Sequence, residues 1–70
     1  METEIQKLDK LISAAKHFRD TLASGKHLSQ MYADAAFHRA AYRIFEYDVL
    51  HDRAEEIEGH IKHEVGGLED

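Results

Sequence analysis

Residues that interrupt an α-helix are almost absent from this chain. It contains no proline, and its glycines stand at positions 25, 59, 66 and 67. Elsewhere apolar residues recur at spacings of three and four, which is the period of a helix with one apolar face. The pattern predicts an all-α fold, and a chain of 70 residues allows a single domain, residues 1–70.

The first helix has recognisable signals at both ends. Thr3 followed three residues later by Gln6 predicts a capping box, in which each side chain bonds to the backbone amide of the other residue. Gly25 favours the left-handed conformation that closes a helix. We therefore predict a short helix over about residues 3–24.

The second helix is predicted to be long. Ser29 suits an N-cap position, and an apolar stripe continues from there to the glycine pair at positions 66 and 67. One unbroken helix over about residues 29–65, ended by those glycines, is the preferred interpretation. The alternative is a break near Asp52, where a second capping box is possible.

An antiparallel hairpin of these two helices leaves part of the second one uncovered. At about 1.5 Å per residue the first helix is about 33 Å long and the second about 55 Å, so that roughly 20 Å, at residues 51–65, projects. Such an amphipathic helix can lay its apolar face in the groove of another protein, while its carboxylates favour a basic rim. The residues predicted to bind this partner are Ala54, Ile57, Ile61 and Val65.

The second helix is also apolar over too much of its circumference for one neighbour. A chain this short buries only about 60% of its surface, and without cysteine no disulfide supports the core. We therefore predict a homodimer in which two hairpins form a four-helix bundle. The alternative is a monomer with partly exposed aromatic residues. The predicted dimer interface comprises Tyr32, Ala36, Phe37, Ala41, Phe45 and Val49.

Charge is distributed unevenly along the chain. Residues 1–43 carry seven Lys or Arg against five Asp or Glu, whereas residues 44–70 carry two against nine. The acidic half argues against binding to nucleic acid. No apolar run is long enough for a membrane span or a signal peptide, so we expect a cytoplasmic protein.

The segment HDRAEEIEGHIKHE, residues 51–64, combines three histidines with five carboxylates. Helical spacing puts Glu56, His60, His63 and Glu64 within reach of one another, and such side chains can hold zinc or another divalent ion. The competing interpretation, which we favour, is a solvated helix face, because these positions lie away from the apolar stripe. We therefore expect no metal or other cofactor.

Arg39 and Arg43 lie one helical turn apart, among tyrosines that could stack on a base. They are a possible anion contact, and a small nucleotide bound by a dimer is an alternative function. No glycine-rich loop is present to hold a phosphate, so a solvated face with interface aromatics is the preferred interpretation.

Catalysis is not expected, because the chain has no cysteine and its few hydroxyl residues suit helix caps and surfaces. The sequence instead favours a small acidic protein-binding module, such as an inhibitor, anti-activator, adaptor or small chaperone. Acidic miniproteins of this kind occur among phage accessory factors, which is an analogy of fold alone.

Overall fold

The computed structural model describes the backbone of residues 1–69 and the side chains of residues 1–65. This part of the chain forms three helices, α1 (Glu4–Ser24), α2 (His27–Phe45) and α3 (Asp48–Glu69), and contains no strand. The predicted all-α class is confirmed. The prediction that the last helix ends at the glycine pair is wrong, because α3 continues through it.

The ends of α1 follow the local signals in the sequence. The Thr3 hydroxyl accepts a hydrogen bond from the Gln6 amide at 3.1 Å, and the Gln6 side chain accepts one from the Thr3 amide at 2.8 Å. At the other end Gly25 adopts a φ of 73° and donates its amide hydrogen to the Thr21 carbonyl. The capping box and the closing glycine are both confirmed.

The predicted unbroken helix over residues 29–65 is wrong. The alternative, a break near Asp52, is right in kind, but the break lies about five residues earlier. The chain turns at Glu46 and Tyr47 instead, and Asp52 lies inside α3. Glu46 has a φ of 56° and closes α2 by donating its amide hydrogen to the Tyr42 carbonyl at 2.9 Å. A glutamate therefore occupies the left-handed position that a glycine occupies at the end of α1.

The burial of Ile57 and Ile61 explains why the chain turns at Glu46, although no glycine or proline stands there. A left-handed residue other than glycine costs about 1–2 kcal/mol, and the aromatic residues beside Glu46 are weak helix formers. The turn lets α3 fold back along α2, which leaves Ile57 only 5% and Ile61 only 6% exposed. Each such isoleucine contributes about 1.5–3 kcal/mol when buried, so the gain exceeds the cost of the turn.

α2 is the central helix of the described chain. It packs against both α1 and α3, which do not contact each other. On one side the rings of Phe18 and Phe37 lie 5.8 Å apart. On the other side Ala35 packs with Ile57 and Ile61. Among the residues with described side chains, no large one is fully buried, so the core is small.

This arrangement bears on two further predictions. Residues 51–65 do not project beyond the first helix, because α3 runs back along α2 and is covered by it. The four-helix bundle of two hairpins is not confirmed, because the described part of each chain forms three helices rather than two. Dimerisation itself stays a prediction.

The turn at Glu46 gives the first testable prediction. Replacing Glu46 with glycine removes the steric cost of its left-handed conformation, so Glu46→Gly should raise the free energy of unfolding by about 1 kcal/mol. Chemical denaturation followed by circular dichroism measures the change. Glu55→Gly, in the middle of α3, is the control and should destabilise the fold by about 1 kcal/mol. Destabilisation by both substitutions would contradict the proposed turn.

The α2–α3 core gives the second prediction. Ile57→Ala should lower the free energy of unfolding by about 2–4 kcal/mol, because it leaves a cavity beside Ala35 and Ile61. Ile5→Ala, at an exposed position of α1, should change it by less than about 0.5 kcal/mol in dilute solution. Equal effects would show that α3 is not packed on α2.

Candidate protein-interaction surfaces

The residues predicted to bind a partner lie inside the molecule. Ala54, Ile57 and Ile61 are buried, and Val65 packs against the same cluster. They belong to the α2–α3 core in this conformation. Their role in partner binding stays a prediction, and it now requires α3 to separate from α2.

The predicted dimer interface is divided between different environments. Ala41 is buried and Phe37 is half-buried beside Phe18, whereas the other four residues are exposed. Phe45 follows Ala36 by nine positions, which places them on opposite sides of α2 at 100° per residue. These six residues therefore do not form one surface on a single chain.

An exposed apolar surface that the sequence interpretation missed lies on α1. Four aliphatic side chains along this helix remain exposed, and we name them the α1 stripe: Ile5 (72% exposed), Leu8 (44%), Ile12 (52%) and Leu22 (57%). At 100° per residue Ile5, Leu8 and Ile12 lie within about 60° of one another, and Leu22 lies about 40° beyond Leu8, toward Leu11 and Phe18. The neighbouring side of α1, which includes Leu11 and Phe18, faces α2. The sequence does contain a signal for this surface. Adjacent apolar residues such as Leu11 and Ile12 make the apolar arc of α1 wider than one neighbouring helix can cover.

An exposed aromatic pair lies at the turn between α2 and α3. The rings of Phe45 and Tyr47 stack with centroids 6.0 Å apart and planes 8° apart. Both side chains are exposed. An ion pair of 3.0 Å between Arg43 and Glu2 holds the start of α1 beside the end of α2. The aromatic pair and Ile5 therefore lie at the same end of the molecule.

The two arginines predicted as an anion contact each pair with a carboxylate of the chain itself. Arg39 donates from Nε and Nη2 to the two oxygens of Glu58 on α3, the second contact measuring 2.6 Å. This hydrogen bonding lowers the pKa of Glu58 and raises the pKa of Arg39. Arg43 donates to Glu2. The arginines thus connect α2 to α3 and to the N-terminal residues.

A second polar contact connects α2 to α3. Asp34 and His38 are mostly buried, and His38 Nδ1 is hydrogen-bonded at 2.8 Å to the backbone carbonyl of Asp34 within α2. Arg53 on α3 approaches the Asp34 carboxylate at 3.3 Å. The contact supports the position of α3 along α2.

The candidate metal ligands come together only in part. Glu56, His60 and Glu64 line a groove of about 270 Å³, and His27 Nε2 lies 3.2 Å from Glu64 Oε1. His63 is exposed and is not part of that lining. Among the described side chains, no group of three His, Asp or Glu residues has an arrangement that could hold a metal ion.

The Arg39–Glu58 pair gives a prediction of pH dependence. Because the folded state lowers the pKa of Glu58, the pair contributes stability at neutral pH, and this contribution is lost as acid protonates Glu58 below about pH 4. The pair is exposed, so the contribution is at most about 1 kcal/mol.

Glu58→Gln should therefore reduce stability at neutral pH and flatten the loss of stability on acidification. Denaturant melts at about pH 6 and about pH 3 measure both effects. The control is Glu56→Gln, because Glu56 is an exposed carboxyl on the same helix outside the Arg39 pair. An unchanged pH dependence in Glu58→Gln would contradict the role of the pair.

The described surface is therefore rich in groups for contact with another molecule: an apolar stripe, an aromatic pair and paired charges.

No helix in the part of the chain that the structure describes is long and apolar enough to cross a lipid bilayer. Comparison with protein families, curated proteins and solved structures finds no match to this chain.

Proposed function

We propose that this chain is a non-enzymatic protein-binding module that self-associates through the α1 stripe. Its mode of action is that of an inhibitor, anti-activator, adaptor or small chaperone. The observation that carries the proposal is the exposure of four aliphatic side chains on one side of α1. Exposed apolar surfaces of this kind mark protein contacts.

Because the internal core is small, burial of further apolar surface against a second molecule would add to the stability of the chain. Covering the exposed half of an isoleucine or leucine contributes about 1 kcal/mol. A symmetric contact buries each residue of the α1 stripe twice, once in each copy. Because association costs at least about 4 kcal/mol, the stripe alone supports a modest affinity, and contact with the aromatic pair Phe45 and Tyr47 would increase it.

The charges beside the α1 stripe favour an antiparallel pairing of two α1 helices. If Ile5 lies opposite Leu22 of the second copy, Asp9 lies level with Phe18 of that copy and two residues, about 3 Å along the helix axis, from its Lys16. Asp9 and Lys16 lie on the same flank of the α1 stripe, so in a parallel pairing the two copies would carry them on opposite sides of the contact and they would not meet. Opposite charges across a contact set its orientation.

The alternatives from the sequence have weaker support. Metal binding lacks a group of suitable ligands among the described side chains. A nucleotide phosphate would carry more negative charge than the single carboxylates that Arg39 and Arg43 hold, and it would bring that charge toward a chain of net charge −5.

Self-association predicts a dimer of twice the 8.1 kDa chain mass. Ile5→Asp combined with Ile12→Asp should yield a monomer with unchanged helicity, because both side chains are exposed in the single chain. Light scattering coupled to size exclusion measures mass, and circular dichroism measures helicity. Ser13→Asp, at an exposed position outside the stripe, is the control and should remain dimeric. A wild-type monomer at high concentration would overturn the proposal, and a dimeric double variant would exclude the α1 stripe as the interface.

The antiparallel orientation has its own test. Asp9→Lys should weaken the dimer by about tenfold, since it creates two repulsive pairs. Adding Lys16→Asp should restore the affinity, because the exchanged charges again face opposite charges. Failure of the second substitution to restore the dimer would contradict the antiparallel pairing.

A further inference from the structure

A second surface lies on α2, between the two helices that flank it. Tyr32, Ala36, Arg39 and Arg43 follow one another at spacings of four, three and four, so they form one strip along α2. All four are exposed. The strip is open because α1 and α3 pack on other sides of α2 and, over the described residues, make no contact with each other.

Two adjoining cavities make this strip a continuous groove. One, of about 220 Å³, lies between α1 and α2 and includes Lys7, Lys10 and Arg43 in its lining. The other, of about 370 Å³, lies between α2 and α3. Both include Ala36 and Arg39, so they meet on the surface of α2. We name the two together the front groove.

The two ends of the front groove differ in chemistry. Lys7, Lys10 and Arg43 make one end cationic. Tyr32 and Ile61 line the other end, which is mainly apolar. Between the two ends lie the small side chains of Ala36 and Ala40 and the Arg39–Glu58 ion pair, so a helix in the groove would pack against the alanines and beside this pair.

The cationic end already holds a carboxylate. Lys10 donates a hydrogen bond to Glu2, and Arg43 donates another at 3.0 Å. The hydrogen bond from Lys10 is the main cause of the lowered pKa of Glu2, and Arg43 and Lys7 add to it. Glu2 precedes the N-cap residue Thr3, so it can leave this position without breaking a hydrogen bond of α1.

We propose that the front groove binds an acidic amphipathic helix of a partner protein, whose carboxylate takes the place of Glu2 between Lys10 and Arg43. An apolar side chain of that helix contacts Tyr32 and Ile61 at the other end. Tyr32 and Arg43 are eleven positions apart on α2, about 16 Å. The apolar residue and the carboxylate of the partner helix are therefore also about eleven positions apart.

Charge favours a protein segment over nucleic acid as the occupant. Exchange of Glu2 for another single carboxylate leaves the charge of the groove unchanged. A phosphate backbone would bring many charges toward Glu58, which lies in the groove wall, and toward a chain of net charge −5. The inference rests on the proposal that the chain binds another protein, but it does not depend on self-association.

A library of peptides displayed on a fixed helical scaffold tests the inference. Selection on the wild-type chain should enrich aspartate or glutamate about eleven positions from a large apolar residue. Selection on Arg43→Glu should replace that acidic residue with lysine or arginine. Lys26→Glu makes the same change of charge at an exposed position outside the groove and should enrich the same peptides as the wild type. Circular dichroism checks that each variant is folded.

A synthetic copy of an enriched peptide then gives affinities by fluorescence anisotropy. Arg43→Glu should weaken its binding at least tenfold. Glu2→Gln should strengthen it severalfold, because the competing internal carboxylate is removed.

Four results would overturn the inference. The first two are a selection that enriches no peptide and an Arg43→Glu variant that enriches the same peptides as the wild type. The other two are binding of a single-stranded oligonucleotide through Arg43 in place of the peptides, and a change of molar mass in Arg43→Glu. The last would show that a second copy fills the groove. If the wild-type chain is a dimer but selects no acidic helix from the library, only the proposal for the front groove is overturned. If it is a monomer that does select an acidic helix, only the proposal of self-association is overturned.

Discussion

The packing of Ile57 and Ile61 against Ala35 is the contact on which the arrangement of the three helices depends. It draws α3 back along α2 and sets the turn at Glu46, where a left-handed glutamate costs about 1–2 kcal/mol. Without this contact the apolar side of α3 would face water. The same contact occupies one side of α2 and leaves α1 to pack elsewhere on that helix, so it also determines which surfaces stay open.

The two outer helices differ in how much of their apolar surface α2 covers. α3 is apolar on one side, and α2 covers that side with small alanines. α1 is apolar on two adjoining sides, but it has only α2 as a neighbour in the described chain. Its second side, the α1 stripe, therefore remains exposed. The three helices lie in a row with α2 in the middle, so each outer helix has a single neighbour. This arrangement accounts for both the small core and the exposed α1 stripe.

The parts of the fold that depend on local chemistry could be predicted from the sequence. Thr3, Gln6 and Gly25 act within one helical turn, and their roles follow from residue type and spacing. The turn at Glu46 could not be found in this way, since neither glycine, proline nor a capping box marks it. Its cause is the distant packing of Ile57. The spacing of the apolar residues over 54–61 predicts an apolar helix face, but it does not predict that α2 of the same chain covers this face.

The α1 stripe and the front groove lie on different sides of α1, and this separation has a consequence for binding. Lys10 lines the front groove, whereas Ile12 belongs to the α1 stripe. Two positions on a helix differ by about 200°, so these side chains point in nearly opposite directions. Lys7, the other α1 residue of the groove, lies about 100° from Leu8, so a dimer joined through Ile5 and Ile12 keeps the Lys10 side of each front groove accessible. Two identical grooves on one dimer would let it hold two acidic helices of one oligomeric partner, and the second contact would form at high effective concentration. Weak binding in each groove is then sufficient for a stable complex.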